Sequence, residues 1–214
     1  HTTRECCISC GIEKDFEGEQ MRKTTVTRKT KETNITISLN LDGTGLSDIK
    51  TSVPFLDHML DLLTFHGFFD LKIKAVGDIE VDYHHLMEDL GLTLGDAIKK
   101  AIGDKKGIKR FGTSYVPMDE ALVRVVIDLS GRPYLVYHVK PSRGSVRDVE
   151  ISLFEDFFRA LSNNAQMNIH INLEYGRDLH HIVEAIFKAF GRALRDAVTI
   201  DQSRNKIPST KGTL

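Results

Sequence analysis

The string His84-His85-Leu86-Met87-Glu88 returns as His180-His181-Ile182-Val183-Glu184. This duplication constrains the fold more than any other feature of the chain, because it extends past the five residues. The alternating segments Phe69-Asp70-Leu71-Lys72-Ile73 and Met167-Asn168-Ile169-His170-Ile171 precede the two copies, each followed by a turn with Gly77 or Gly176. Gly95 follows His85 by ten residues, as Gly191 follows His181. Upstream, Leu56-Asp57-His58-Met59-Leu60 aligns with Phe154-Glu155-Asp156-Phe157-Phe158. The period is far longer than a solenoid unit, so it marks a duplicated half-domain. The chain divides into halves at about 22–107 and 108–197, followed by a tail that completes a domain over 21–214.

A chain of 214 residues has room for one domain, or two small fused halves, with an adequate core. A net charge of −1 gives no reason to expect nucleic acid or an anionic membrane as partner. No apolar run approaches the roughly 20 residues of a membrane span. Residues 1–20 are polar, without the apolar centre of a signal peptide. They are expected to be an extension outside the fold, disordered or non-native, with Met21 as the start. Cys6, Cys7 and Cys10 are the only cysteines. That excludes a disulfide framework from the core and suits a reducing cytoplasm. Cys7-x-x-Cys10 offers only half of the four ligands a structural zinc needs.

Hydrophobic periodicity predicts two strands within 24–41, the second closed by Asp42-Gly43-Thr44-Gly45. It predicts a helix over 53–65, with Pro54 suited to the first turn and Gly67 to the end. A strand at 71–75 and a helix over 84–100 complete the first half. The second half shows strands at 121–129 and 134–139, joined as a hairpin by Gly131-Arg132-Pro133. A helix over 152–162, a strand over 168–173 and a helix over 179–198 follow. Each half is therefore strands, helix, strand, helix: an α+β fold in α/β layers, with two helices on one sheet face.

The doublets carry the chemistry. On a helix, residues four apart share a face, so each first histidine neighbours its glutamate. Adjacent histidines diverge by about 100° around the axis and can feed two different metals. Two doublets therefore predict two metal sites that mix ligands from both halves. His58 is a further imidazole for one, and its repeat equivalent Asp156 a carboxylate for the other. Such ligands suit divalent manganese, iron, nickel or zinc.

Several motifs taken in order resemble the imidazoleglycerol-phosphate dehydratase family of histidine biosynthesis. They are Arg28-Lys29-Thr30-Lys31-Glu32-Thr33, Phe55-Leu56-Asp57-His58-Met59-Leu60, Asp82-Tyr83 with the first doublet, Arg110-Phe111-Gly112, Met118-Asp119-Glu120, Ser130-Gly131-Arg132-Pro133, the second doublet, and Ile207-Pro208-Ser209-Thr210-Lys211-Gly212. The resemblance implies a duplicated half-domain with a small, mostly antiparallel sheet, related to ribosomal protein S5 domain 2. It also implies two manganese ions per subunit, a 24-mer built from trimers, and active sites between subunits. One metal set would be His58, His85, His180 and Glu184, and the other His84, Glu88, His181 and Asp156. Many relatives carry His at position 156, and His170 is the fallback ligand.

The implied reaction removes water from a substrate bearing an imidazole, a glycerol chain and a phosphate. The imidazole would be held as imidazolate between the two metals, with Glu32 as general acid and base, and His58, His85 and Glu184 also catalytic. Arg110, Arg132, Lys188, Ser209, Thr210 and Lys211 match phosphate-binding positions; His66 would line the pocket, with Asp119 nearby. Two rival classes are a metal-storage oligomer, which leaves the cationic positions unexplained, and a dinuclear phosphatase, which would favour carboxylate-rich sites.

Overall fold

The computed structural model describes residues 22–203 and 206–212; the three cysteines and the expected extension lie outside them. The first half comprises β1 (Lys23–Lys29), β2 (Thr33–Asn40), β3 (Ser47–Lys50), α1 (Pro54–Gly67), β4 (Asp70–Gly77) and α2 (His84–Ile102). The second comprises β5 (Phe111–Met118), β6 (Ala121–Asp128), β7 (Tyr134–His138), the short strands β8 (Ser145–Val146) and β9 (Val149–Glu150), α3 (Ser152–Ala165), β10 (Asn168–Tyr175) and α4 (Leu179–Val198). The two main sheets have the same topology, β1-β2-β4-β3 and β5-β6-β10-β7. In each, the edge pairs β3 with β4 and β7 with β10 are parallel and the remaining pairs antiparallel. No helix among the described residues is long and apolar enough to cross a membrane.

Alternation decides which face of each sheet is covered. Ile35, Ile37 and Leu39 of β2 point inward with Leu71, Ile73 and Ala75 of β4, while the intervening residues face out. Val123, Val125 and Ile127 of β6 do the same with Ile169 and Ile171 of β10. Two helices cover each inner face and then pack across the halves, α1 on α4 and α2 on α3. The result is four layers, sheet–helices–helices–sheet, around one continuous core. Glycines set how closely the helices approach. A Cβ on Gly95 would stand 2.7 Å from the Leu161 carbonyl oxygen, and one on Gly191 would stand 2.5 Å from that of Leu63.

The expected hairpin at residues 131–133 is not formed. β10 lies between β6 and β7, so the connecting loop crosses the end of β10 to reach the far edge. The loop after β2 makes the same crossing over β4. The first residue of each crossed strand pins the loop: Asn168 Nδ2 donates to the Arg132 carbonyl at 2.6 Å, and Asp70 Oδ1 accepts the Thr44 and Leu46 amides at 2.8 and 3.2 Å. Two strands lack a sequence signal for physical reasons. β3 is an exposed edge with Ile49 as its sole apolar residue. β5 turns Gly112 and Ser114 inward because α4 comes so close that a Cβ at position 112 would meet the Ala193 carbonyl.

Partial burial would raise the pKa of Asp70, but the amides of Thr44 and Leu46, together with Asn40, outweigh it and hold the carboxyl below its ordinary value of 3.8. A depressed carboxyl stabilises the fold above its unfolded pKa and loses that contribution as pH falls through the folded one. Asp70→Asn should therefore lower stability at pH 7 by about 1–2 kcal/mol, from weakened charge-assisted hydrogen bonds. In melting curves across pH, the gap from the parent should close below about pH 3.8; a gap constant with pH would refute this.

Candidate metal centre

Both doublets open a helix. Asp82 Oδ1 accepts the His84 amide at 2.8 Å, and Asp178 Oδ1 caps α4 by accepting the His180 and His181 amides at 2.8 and 3.3 Å. The histidines therefore project from first turns, where α1 meets α4 and α2 meets α3.

Three of the expected groups converge at the first meeting point. One ligand atom each from His58, His180 and Glu184 lie within 4.8 Å of one another. His180 Nε2 stands 3.2 Å from Glu184 Oε2, and His58 Nε2 stands 3.7 Å from it. Glu184 is only 7% exposed, and its other oxygen accepts from Lys188 Nζ at 2.6 Å. Burial pushes this carboxyl upward, but Lys188, His58 and His180 more than offset it, so it titrates below the ordinary glutamate range. The edge of Phe55 packs against His180, with ring centroids 5.2 Å apart.

The second meeting point holds the repeat-related groups. His84 Nε2 is 3.8 Å from Glu88, and His84 Nδ1 is 3.7 Å from Asp156. Asp156 thus occupies in α3 the place that His58 occupies in α1. Glu88 and Asp156 approach opposite nitrogens of the His84 ring, so these three groups flank one imidazole rather than converge on a point, and the carboxylates are roughly half exposed. His170 lies on β10 between the inward-facing Ile169 and Ile171, so its side chain leaves the sheet on the face away from the helices.

The remaining members of each expected set stand apart from the clusters. His85 Nδ1 contacts Asp78 at 3.0 Å, with Glu32 at 3.9 Å. His181 Nδ1 contacts Glu120 at 2.7 Å, while Asp119 lies 3.8 Å from its Nε2. Glu120 also accepts the Asp178 and Arg177 amides; with the His181 bond these lower its pKa to about 2. Asp78 and the specific role of Glu120 escape a reading based on the doublets.

The phosphate candidates occupy several neighbourhoods. Arg110, at φ 77, binds Asp128 at 2.7 Å and donates to the Pro208 carbonyl at 2.9 Å, lining an open cavity with Lys206, Ser209 and Thr210. Lys211 continues this tail, its amide donating to Ser209 Oγ at 3.2 Å. Arg132 sits exposed on the crossing loop, its guanidinium unpaired among the described residues. Lys188 and Arg192 lie close enough to His66 to add to the effect of burial in lowering its pKa.

Comparison with known proteins decides the family. A family model described as imidazoleglycerol-phosphate dehydratase matches residues 51–194. The chain is 60% identical over 194 residues to the protein of that name from Thermodesulfovibrio yellowstonii, covering 91% of this chain and 100% of the relative.

The chain belongs to the imidazoleglycerol-phosphate dehydratase family.

The Geobacter sulfurreducens dehydratase is 54% identical over 90% of this chain and 99% of its own length. The crystal structure of the Staphylococcus aureus dehydratase superposes with a TM-score of 0.75 at 44% identity, covering 83% of this chain and 99% of that one. That of the Pyrococcus furiosus dehydratase superposes at 0.73 and 36% identity, covering 88% and 100%. As a member of the dehydratase family the chain is an enzyme, a hydro-lyase. The duplicated α+β fold agrees with these neighbours.

Proposed function

We propose that the chain catalyses manganese-dependent dehydration of imidazoleglycerol phosphate to imidazole-acetol phosphate, a step of L-histidine biosynthesis in the cytoplasm. The observation that carries the reading is the convergence of His58, His180 and Glu184; at the other helix pair the repeat-related His84 is flanked by Glu88 and Asp156. Mixed imidazole and carboxylate donors fit a divalent first-row ion. When bound, two manganese ions per chain would supply Lewis acidity that holds the substrate ring as imidazolate and takes up charge pushed into it.

The chain's own residues do the rest. Glu32, beside His85 with a half-exposed carboxylate, is placed for acid–base work. Its carboxyl protonates the hydroxyl next to the ring, which leaves as water. Its carboxylate then takes the proton from the adjacent carbon, and the resulting enol relaxes to the ketone. Arg110, Arg132, Lys188, Ser209, Thr210 and Lys211 provide the cations and donors for the phosphate. His66 lines the pocket. His85 and His181, turned away from their own chain's clusters, would complete those of neighbouring copies in trimers and a 24-mer.

Manganese titration of the apo chain, with dehydration and sedimentation followed in the same samples, tests the reading. Two metals per chain, coupled turnover and a very large assembly are expected. Metal uptake without turnover would favour storage, and phosphate release from a generic ester a hydrolase. Arg132→Ala should raise KM about 10- to 100-fold while changing kcat little. This follows from about 1.5–3 kcal/mol for a charge-assisted contact made equally in ground and transition states. An unchanged KM would remove Arg132 from the phosphate site.

A further inference from the structure

The two halves hold their second histidines by the same device, built from different places in the repeat. In the second half the holding carboxylate is Glu120, which immediately precedes β6. In the first half the equivalent position, immediately before β2, is Glu32, and its carboxylate lies 3.9 Å from His85 Nδ1, beyond a hydrogen bond. Asp78, just after β4, grips His85 instead, with its two oxygens 3.3 and 3.0 Å from Nδ1. The residue equivalent to Asp78 is Arg177, because the bulge in β10 brings Gly176 into the place of Gly77, and a guanidinium cannot accept from a ring nitrogen. Simple inheritance from the duplication would have left the carboxylates at matching positions. Finding them at different corners, on the same ring nitrogen, points to a requirement on the histidine itself.

A carboxylate on Nδ1 keeps the proton on that nitrogen and leaves the Nε2 lone pair free. It also fixes the ring plane. We infer that Asp78 and Glu120 are positioning residues that lock His85 and His181 in the Nδ1–H tautomer and present Nε2 as a metal ligand. The assignment rests on the metal reading above and adds a division of labour to it. Because Asp78 holds His85, Glu32 is left uncommitted beside that ring, where its proton can be used on substrate; in the second half the same corner is consumed by holding His181.

The test uses the full chain with Asp78→Asn and Glu120→Gln. Each amide keeps the shape of the carboxyl but can donate to Nδ1, which lets the proton move to Nε2. Gln at position 120 can still accept the Arg177 and Asp178 amides, and Asp78 accepts no backbone amide among the described residues, so neither change removes a backbone hydrogen bond. Manganese affinity is read from the electron paramagnetic resonance of the free ion, and melting of the apo chain is read alongside. Affinity about 10- to 100-fold weaker is expected, with apo melting as in the parent and affinity partly regained in Asp78→Glu. Variants that bind as tightly as a manganese-binding parent would overturn the positioning role alone. So would a weakening matched by loss of apo stability in Asp78→Asn. A parent that binds no manganese would overturn the metal reading itself.

Discussion

Glu184→Gln should lower kcat by about three orders of magnitude, the equivalent of several kcal/mol of metal-ion stabilisation at 1.36 kcal/mol per tenfold. Glu184 is the one carboxylate in the cluster with His58 and His180, and it lies nearly buried between them and Lys188. The amide keeps the volume and can still accept from Lys188. The fold should survive, while the negative charge that both imidazoles share, and that a bound divalent ion would share, is gone. Weakening the Lys188 contact from an ion pair to a bond with a neutral amide should cost about 1–3 kcal/mol of stability. Steady-state rates with saturating manganese, and melting curves on the same preparation, separate the two effects. Activity within tenfold of the parent would mean that the cluster around Glu184 is not the catalytic one.

The second large effect concerns packing. A glycine inside a helix ordinarily gains up to about 1 kcal/mol on replacement by alanine. Gly95→Ala and Gly191→Ala should do the opposite, each costing about 1–3 kcal/mol net, because the new Cβ meets a backbone carbonyl that cannot rotate away. The two helix pairs must then separate, and every large side chain between them loses contact. Chemical denaturation of each variant and of the double mutant provides the measurement. A double mutant as stable as the parent would show that the helices can slide apart at no cost.

The sequence disclosed much of this architecture because two copies of one plan check each other. Leu86, Leu90, Leu94 and Ile98 give α2 its helical spacing, and Gly95 and Gly191 recur ten residues after their doublets, a match whose reason, close helix crossing, only the structure shows. The same alignment set Asp156 opposite His58, and the structure places both at the N-terminal ends of paired helices. Divergence of adjacent histidines by helical geometry foretold that His84 and His85 would serve different neighbourhoods. The loops that cross β4 and β10 were hidden, because Gly131-Arg132-Pro133 has the composition of a turn and only the sheet order shows that it crosses instead. β5 was hidden because the proximity of α4 replaced apolar inward residues with Gly112 and Ser114. Asp78 and Glu120 were hidden because a holding carboxylate has no fixed sequence distance from the ring it holds.

Both groupings draw on both halves: His58 on α1 converges with His180 and Glu184 on α4, and Asp156 on α3 contacts His84 on α2, beside Glu88. An unfused half would have to pair with its twin to bring such side chains together, and symmetry would make both groupings identical. Joining the copies in one chain removes that obligation. Position 156 can change while position 58 stays histidine, so the group around His84 can be altered while its counterpart around Glu184 is preserved.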